Sequence, residues 1–341
     1  MELVVKKISE SDRLSKYHVK GIESRILSID KTKLLKSIGK IDHEILRDSE
    51  YYMGANMNTV MENGKMIWKL FGLNIPSING NESLTIKTND FSIPWNLLFD
   101  DDFLFYKYKI GLKPLMKISE GYTSFEYQKT KSEGIKSRKI LLIGNPTKDI
   151  GKWNLPGSEN EVKKIAKKIG NSELHHGPRN RKFLIDKLSS PRYGVLHYSG
   201  HTAVDDKGGY FILSNNGVIE KLYGREISNM DIGNKLVILN SCKSTVHDME
   251  KEGELTPANG AIATAIQSSH VSGIIGASWT TYDTISAKFM INFWKLLKNN
   301  SIGDALLKSR IRFRDEVENN QYGKLNRLAF ALYGDPEIKI F

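Results

Sequence analysis

The second half of the chain alternates short runs of mainly apolar residues with segments of helical periodicity. The apolar runs cover residues 139–145, 195–200, 236–241 and 271–279. Such runs predict strands buried on both faces, because a strand with one face in water shows polar residues at every second position. Strands that alternate with helices predict a mostly parallel sheet flanked by helices on both faces. The fold class predicted from this pattern is α/β.

Two residues with reactive side chains directly follow two of these runs. His201 comes after residues 195–200, and Cys242, the only cysteine, comes after residues 236–241. Because the carboxyl ends of parallel strands meet at one edge of a sheet, the imidazole and the thiol are expected to lie close together. His201 precedes Cys242 by 41 positions, similar to the roughly 50 positions of the caspase pattern. The arrangement predicts a catalytic His/Cys dyad, and the alternative is a buried structural cysteine beside a capped loop histidine.

The composition bounds the class of protein. A chain of 341 residues with 40% hydrophobic residues can bury a large core. One cysteine excludes an internal disulfide and leaves no cysteine cluster for structural zinc. Neither a metal nor a cofactor is predicted. The segment 1–7 carries Glu2, Lys6 and Lys7, so charges come before any signal-peptide core could form, and no apolar run approaches the ~18 residues of a membrane span. We therefore expect a cytoplasmic protein without a membrane partner.

The net charge of +11 raises the question of nucleic-acid binding. The basic residues form scattered clusters at 31–40, 129–139, 179–182 and 308–314, without regular aromatic residues for base stacking. Direct contact with nucleic acid is therefore not expected, although a basic nucleic-acid-binding module stays an alternative. The cluster at 308–314 is interpreted as the solvated face of a helix, and an acidic partner surface is left open.

The chain divides at the Lys-, Ser- and Gly-rich segment 130–137. Before it, strands are predicted at 1–9 and 17–28, a helix at 57–71 and an extended segment at 81–95. After it, Ser158 and Glu161 predict a capping box that opens a helix through residue 169. Further helices are predicted near 183–188, 260–267, 284–297 and 301–317, with an irregular stretch at 205–217 and a closing strand at 337–341. Segment 144–152 follows a strand as a phosphate-binding loop does, but its glycine spacing and Trp153 after Lys152 argue against nucleotide binding.

Several ordered motifs point to one family. They are Pro-Trp-Asn-Leu-Leu at 94–98, Val-Leu-His-Tyr-Ser-Gly-His at 195–201, Leu-Val-Ile-Leu-Asn-Ser-Cys at 236–242, Gly-Ala-Ser-Trp-Thr-Thr-Tyr-Asp at 276–283, Gly-Asp-Ala-Leu-Leu-Lys-Ser-Arg at 303–310 and Leu-Tyr-Gly-Asp-Pro at 332–336. With these motifs, residues 50–341 resemble the CHAT group of caspase-like cysteine peptidases, relatives of separase. The resemblance implies a caspase-like sheet in a catalytic half at 138–341, with a pseudo-caspase-like α+β half at 1–130 packed against it.

The resemblance also implies the roles of individual residues. Cys242 would be the nucleophile of a cysteine endopeptidase and His201 its base, with the backbone N–H groups of Thr202 and Cys242 forming the oxyanion hole. His197 is expected to be a structural, hydrogen-bonded histidine. The chain departs from the family pattern at Thr202, where a glycine is usual, at 244–245, where Ser-Thr replaces Thr-Gly, and at Asn96, where the family has glutamate.

Specificity and partners follow from the same resemblance. Asp283 matches the aspartate that faces the residue before the scissile bond, so cleavage after Arg or Lys of a protein substrate is expected. The alternative for Asp283 is an N-cap of the helix beginning at residue 284. The polar loop at 245–254 predicts control by an activating or regulatory protein partner, and the family suggests a microbial defence or cell-death system. The alternative function is a catalytically silent scaffold of the same fold.

Overall fold

The computed structural model of the protein describes residues 1–21, 24–49, 54–73, 82–90, 93–118, 121–124, 135, 138–205, 207–241, 271–317 and 323–341. In this part of the chain the strands are β1 (Glu2–Glu10), β2 (Leu14–Lys20), β3 (Ser24–Asp30), β4 (Ser83–Thr88), β5 (Lys109–Ile118), β6 (Gly121–Ser124), β7 (Lys139–Gly144), β8 (Ser172–His176), β9 (Tyr193–Ser199), β10 (Thr202–Asp205), β11 (Gly208–Asn215), β12 (Val218–Tyr223), β13 (Leu236–Asn240), β14 (Gly273–Ala277) and β15 (Phe330–Gly334).

The helices of the described residues are α1 (Lys31–Ser49), α2 (Met57–Leu70), α3 (Leu104–Lys107), α4 (Pro156–Ala166), α5 (Arg181–Ser189), α6 (Gly224–Ser228), α7 (Asp283–Leu297), α8 (Ile302–Val317) and α9 (Asn326–Ala329), with 3₁₀ turns at Trp95–Leu97 and Gly151–Trp153. Helix α1 includes the basic cluster at 31–40, a segment for which the sequence pattern predicts no helix. Helix α7 packs against both α4 and α8, and α4 lies against β7, β8 and β9.

Twelve strands form one sheet in the order β3-β2-β1-β4-β5-β15-β14-β13-β9-β7-β8, with β6 paired to β5. Strands β14, β13, β9, β7 and β8 are parallel to one another. Every residue of β9 and β13 is buried, as expected for strands covered on both faces. The predicted α/β class with a mostly parallel sheet flanked by helices is confirmed, and the carboxyl ends of these five strands meet at one edge.

The sheet continues from the first half of the chain into the second through β15. This strand is antiparallel to β14 and pairs with β5 in parallel, at Tyr333 and Leu112. The closing strand predicted at 337–341 is wrong, because the strand precedes that segment. The carbonyl groups of Pro336 and Ile338 instead accept hydrogen bonds from the first N–H groups of α8, at 2.8 and 2.9 Å. The segment after β15 therefore provides hydrogen-bond acceptors for the first N–H groups of α8, which have no partner within the helix.

The stretch predicted as irregular at 205–217 is also corrected, since β10, β11 and β12 form a three-stranded antiparallel sheet directly after His201. Asn216 and Gly217 join β11 to β12 with positive φ angles of 53° and 82°, as a two-residue hairpin turn requires. The Asn-Gly pair was thus a turn signal between two strands. Among the described helices, none combines the length and the apolar character needed to cross a bilayer.

Candidate active site

His201 lies one residue beyond Gly200, where the chain leaves β9 and turns into β10. Its carbonyl oxygen accepts a hydrogen bond from the Ile212 N–H at 3.1 Å and lies 3.1 Å from the Tyr198 hydroxyl. Its backbone is therefore held from two sides. This fixed backbone directs the imidazole to the edge where the parallel strands end.

The imidazole of His201 is held by Trp153. Nε2 lies 3.0 Å from the Trp153 carbonyl oxygen, and the two rings meet edge to face with centroids 4.9 Å apart. Because a carbonyl oxygen only accepts, Nε2 must carry the proton. In the neutral ring the lone pair is then on Nδ1, and among the described residues none hydrogen-bonds to that atom.

The loop after β7 holds the Trp153 carbonyl in place. Thr147 Oγ1 donates to this carbonyl at 2.7 Å. Asn145 is fully buried and has a positive φ of 52°. Its side chain donates to Asn154 Oδ1 at 2.8 Å and accepts from the Leu155 N–H at 2.9 Å. The segment whose spacing argued against nucleotide binding thus positions the histidine, a role that a backbone carbonyl performs without any side-chain signal in the sequence.

The charge of His201 is set mainly by its burial. Burial lowers the pKa of the imidazole below its ordinary value of 6.5, while the hydrogen bond to Trp153 and the negative charge of Asp283 act in the opposite direction. The net shift is downward, so His201 is neutral near pH 7. A neutral imidazole with a lone pair on Nδ1 can accept a proton.

Asp283 lies at the start of α7 and reaches across to α4. The N-cap of α7 is Tyr282, and the Asp283 carboxylate accepts hydrogen bonds from the Gly157 N–H at 2.6 Å and from the Ser158 hydroxyl at 3.2 Å. Helix α4 has no side-chain cap of its own at Leu155. Asp283 therefore caps a neighbouring helix, and the expectation that it caps its own helix at 284 is wrong.

Thr202 is buried at the start of β10 and is paired with Phe211 of β11. The hydrogen bond from Ile212 N–H to the His201 carbonyl makes Thr202 and Phe211 a non-hydrogen-bonded pair of the ladder. The N–H of Thr202 consequently points to the side of β10 opposite β11. This direction is compatible with the expected contribution of Thr202 to an oxyanion hole.

Cys242 and the loop at 245–254 lie outside the described residues, as does the helix expected at 260–267. The described chain reaches Ser241, directly after β13. Strand β13 pairs with β9 in parallel, with Asn240 beside Ser199, and the Gly200 N–H donates to the Asn240 carbonyl at 3.2 Å. The two strands that precede His201 and Cys242 are thus paired as far as their carboxyl ends.

His197 is fully buried on β9, and both of its ring nitrogens have hydrogen-bond partners. Its Nδ1 accepts from the Trp294 indole N–H at 3.2 Å, and its Nε2 lies 2.6 Å from Glu161 Oε1. This environment matches the expected structural histidine.

The predicted capping box is wrong, because Glu161 points into the core and Ser158 bonds to Asp283. Among the described residues, no group of three or more His, Cys, Asp or Glu side chains is arranged to hold a metal ion.

Comparison with known proteins gives a family and a fold. The model of the CHAT domain family matches residues 81–334. The Arg specific cysteine proteinase gingipain R is 12% identical, with a TM-score of 0.50 over 89% of this chain and 76% of that chain. The complex of Porphyromonas gingivalis RgpB pro- and mature domains gives 10% identity and a TM-score of 0.50, covering 91% and 78%. The Saccharomyces cerevisiae separase-securin complex gives 14% and 0.48, covering 90% of this chain and 23% of that chain. No curated protein matches the sequence.

Proposed function

The chain belongs to the CHAT domain family, and on this premise we propose that it is a cysteine endopeptidase with His201 and Cys242 as its catalytic dyad. The observation that supports the proposal most is the hydrogen bond between His201 Nε2 and the Trp153 carbonyl. It selects the tautomer with a basic Nδ1, and burial keeps the ring neutral. The alternative of a capped loop histidine leaves this combination unexplained.

In the acylation step, His201 Nδ1 accepts the proton of the Cys242 thiol, and the resulting thiolate attacks the scissile carbonyl carbon. The new S–C bond forms as the carbonyl π electrons move to oxygen. The imidazolium then gives its proton to the leaving nitrogen, the C–N bond breaks and an amine departs. A thioester is left on Cys242.

In the deacylation step, His201 accepts a proton from water, and the hydroxide adds to the thioester carbonyl. The C–S bond breaks, the peptide acid leaves and the proton returns to the sulfur. In both steps the oxygen carries negative charge, which the N–H groups of Thr202 and Cys242 would stabilise. One such donor is worth about 3 to 4 kcal/mol in measured enzymes. The direction of the Thr202 N–H, away from β11, supports this role.

We propose cleavage after Arg or Lys. Gingipain R, which shares the fold, is Arg specific. Asp283 supplies a carboxylate whose charge acts on His201. Its two hydrogen bonds to Gly157 and Ser158 use two of the roughly four acceptor positions that two carboxylate oxygens offer. The others would receive a guanidinium or an ammonium group.

The protein substrate, an activating or regulatory protein partner and a role in microbial defence or cell death are further parts of the proposal. The partner is supported by the polar composition of segment 245–254 and by the fold likeness to a protease complexed with its pro-domain. The defence role is supported by the family resemblance alone. A partner that arranges the segment would accelerate peptide cleavage by the isolated protein.

The test uses peptides with Arg, Lys or Ala before a reporter amide. Cys242→Ala and His201→Ala should each lower kcat/KM for the Arg peptide by on the order of 1000-fold or more, and the double variant should be no worse than either single one. His43→Ala is the matched control, because that side chain is 67% exposed on α1 and should leave cleavage unchanged.

Full activity of folded Cys242→Ala would reject the peptidase proposal. If none of the proteins cleaves any peptide, and an electrophilic Arg-ended peptide does not label Cys242 even with a candidate partner present, the scaffold alternative replaces it. Loss of activity in His43→Ala equal to that in His201→Ala would show that the substitutions act through folding.

A further inference from the structure

A buried carboxylate lies between the ends of β9 and β13. Glu161 on α4 is 0% exposed. Its Oε2 accepts hydrogen bonds from the Ser199 hydroxyl at 3.0 Å and from Asn240 Nδ2 at 2.6 Å. Its Oε1 faces His197 Nε2 at 2.6 Å. A single side chain of α4 thus contacts the last residue of both strands.

The donors around Glu161 are those that an ionised carboxylate requires. Trp294 N–H occupies Nδ1 of His197, so the proton of the neutral ring is on Nε2 and is donated to Glu161. Ser199 and Asn240 donate to the other oxygen. Burial raises the pKa of Glu161 above its ordinary value, and these three hydrogen bonds act in the opposite direction without cancelling that shift. The carboxylate is therefore held by neutral donors that come from two adjacent strands.

The positions of these donors in the chain connect them to the dyad. Ser199 precedes His201 by two residues, and Asn240 precedes Cys242 by two residues. Asn240 Nδ2 also lies 3.5 Å from Ser199 Oγ. We propose that Glu161 is a positioning residue of the dyad, which ties the ends of β9 and β13 together through Oε2 and so sets the spacing of imidazole and thiol. This inference rests on the proposed function.

Stability alone does not explain why a charged carboxylate is buried at the position of Glu161. Replacing a buried ionic group by apolar side chains of similar volume is often neutral or stabilising, so a buried carboxylate is weak evidence for a role in stability alone. The spacing of two reacting groups is more demanding, because a misplacement of about 1 Å can lower a rate by about 100-fold. Glu161 acts through the strands, because its carboxylate contacts His197, Ser199 and Asn240 and not the His201 imidazole.

The experiment measures alkylation of Cys242 by iodoacetamide between pH 5 and 9. The chain has one cysteine, so the rate reports on that thiol without any knowledge of the substrate. Glu161→Gln should lower the rate at pH 7 by about 10- to 100-fold and move the pH profile toward the value of about 8.5 of a free thiol. Asn240→Asp should have a similar effect, because it places two carboxylates against each other.

The double variant Glu161→Gln with Asn240→Asp exchanges the carboxylate and the amide across the same contact. The amide nitrogen of the introduced glutamine would then donate to the introduced carboxylate, and the amide oxygen would accept from His197. We expect the profile of the double variant to return to within about threefold of the wild type, since donors and acceptors match again. Val162→Ala is the control for stability, because Val162 is a fully buried neighbour on α4. It should lower the melting temperature and leave the alkylation profile unchanged.

A folded Glu161→Gln protein with the wild-type profile would overturn the inference. So would a Val162→Ala protein whose profile changes as much. If Glu161→Gln does not fold, Ser199→Ala decides, because it removes one donor and should slow alkylation several-fold. An unchanged profile in that variant rejects the positioning role. If the wild-type thiol itself reacts as a free thiol and His201→Ala changes nothing, the proposed function fails, and this inference fails with it.

Discussion

Two histidines four positions apart on the same segment have opposite environments. His197 is enclosed by Glu161 and Trp294, which occupy both of its ring nitrogens. His201 has one nitrogen on the Trp153 carbonyl, and no described residue hydrogen-bonds to the other. A histidine with both ring nitrogens hydrogen-bonded has no free position for proton exchange with a substrate, which agrees with the proposal of His201 rather than His197 as the base. The difference lies at Nδ1, which accepts from the Trp294 indole in His197 and from no described residue in His201.

The buried position of His201 predicts its titration. In Cys242→Ala, which has no thiol to couple with the ring, NMR should give the pKa of His201 below 6.5, because burial disfavours the imidazolium. The folded protein then binds fewer protons than the unfolded chain. The resulting contribution to the free energy of unfolding is present above pH 6.5 and is lost as the pH falls through the lowered pKa. A pKa of His201 at or above 6.5 would contradict the conclusion that burial keeps this ring neutral.

A second prediction at this scale concerns Asp283. Asp283→Asn keeps an oxygen for the Gly157 N–H and removes the charge. Cleavage after Arg or Lys should fall by on the order of 100-fold in kcat/KM, and cleavage of a peptide with a neutral residue there should change little. The pKa of His201 should fall further, because the charge of Asp283 raises it. Equal losses for basic and neutral peptides would leave Asp283 with its capping role only.

At the scale of the elements, helix α4 connects two parts of the site. Its first turn receives the Asp283 carboxylate of α7, and its second turn carries Glu161 to the ends of β9 and β13. The contact at the first turn depends on a glycine. A Cβ on Gly157 would lie 2.4 Å from Asp283 Oδ2, closer than any real side-chain contact.

The substitution Gly157→Ala should therefore displace Asp283. We expect the free energy of unfolding, measured in urea, to decrease by about 1 to 3 kcal/mol, as for other overpacked sites. The preference for Arg peptides should decrease with it. Gly170→Ala is the matched control, because no described atom outside the glycine's immediate neighbours lies within 4 Å of its Cβ, and its effect should stay within about 0.5 kcal/mol. A Gly157→Ala protein as stable and as selective as the wild type would contradict the proposed contact.

The elements also show why some features follow from the sequence and others do not. The runs at 139–145, 195–200 and 236–241 predict β7, β9 and β13 correctly, because a strand covered on both faces carries its own apolar signal. Glu161 was assigned to a capping box because its local pattern is identical to one. Its real partners, Ser199 and Asn240, are distant in the chain. The Trp153 carbonyl has no side-chain signature at all, so its role depends on tertiary contacts that no local pattern contains.

At the scale of the whole molecule, the first half of the chain supports the loops around Asp283. The Asp48 carboxylate of α1 accepts hydrogen bonds from the N–H groups of residues 55, 323, 324 and 325, and the Asp48 carbonyl accepts one from the Tyr282 hydroxyl. Asn96 Nδ2 donates to the Leu328 carbonyl at 2.6 Å. A glutamate, usual in the family at this position, could not make this donation when ionised. Polar contacts of Asp48 and Asn96 thus join the first half of the chain to the segments at 282 and 323–328 of the second half.

This arrangement predicts that Asp48→Asn weakens the whole protein. The amide presents an NH₂ group to N–H donors, so the free energy of unfolding in urea should decrease by about 1.5 to 3 kcal/mol, the range for hydrogen bonds to a charged group. Cleavage of Arg peptides should also slow, because Tyr282 directly precedes Asp283. Asp186→Asn, an exposed aspartate paired with Lys182 on α5, should change stability by less than about 1 kcal/mol. Equal effects of the two substitutions would show that the Asp48 contacts do not hold the halves together.

The place of β15 has a consequence for biosynthesis. This strand is the last of the described strands in chain order, yet it lies between β5 and β14 near the middle of the sheet. Until the ribosome has translated β15, which ends at Gly334, the position between β5 and β14 is empty, and these two strands cannot be joined into one sheet. The nascent chain therefore exposes two unfinished sheet edges, which are sites of unwanted pairing. A chain assembled in this order is without its completed sheet for most of its own translation.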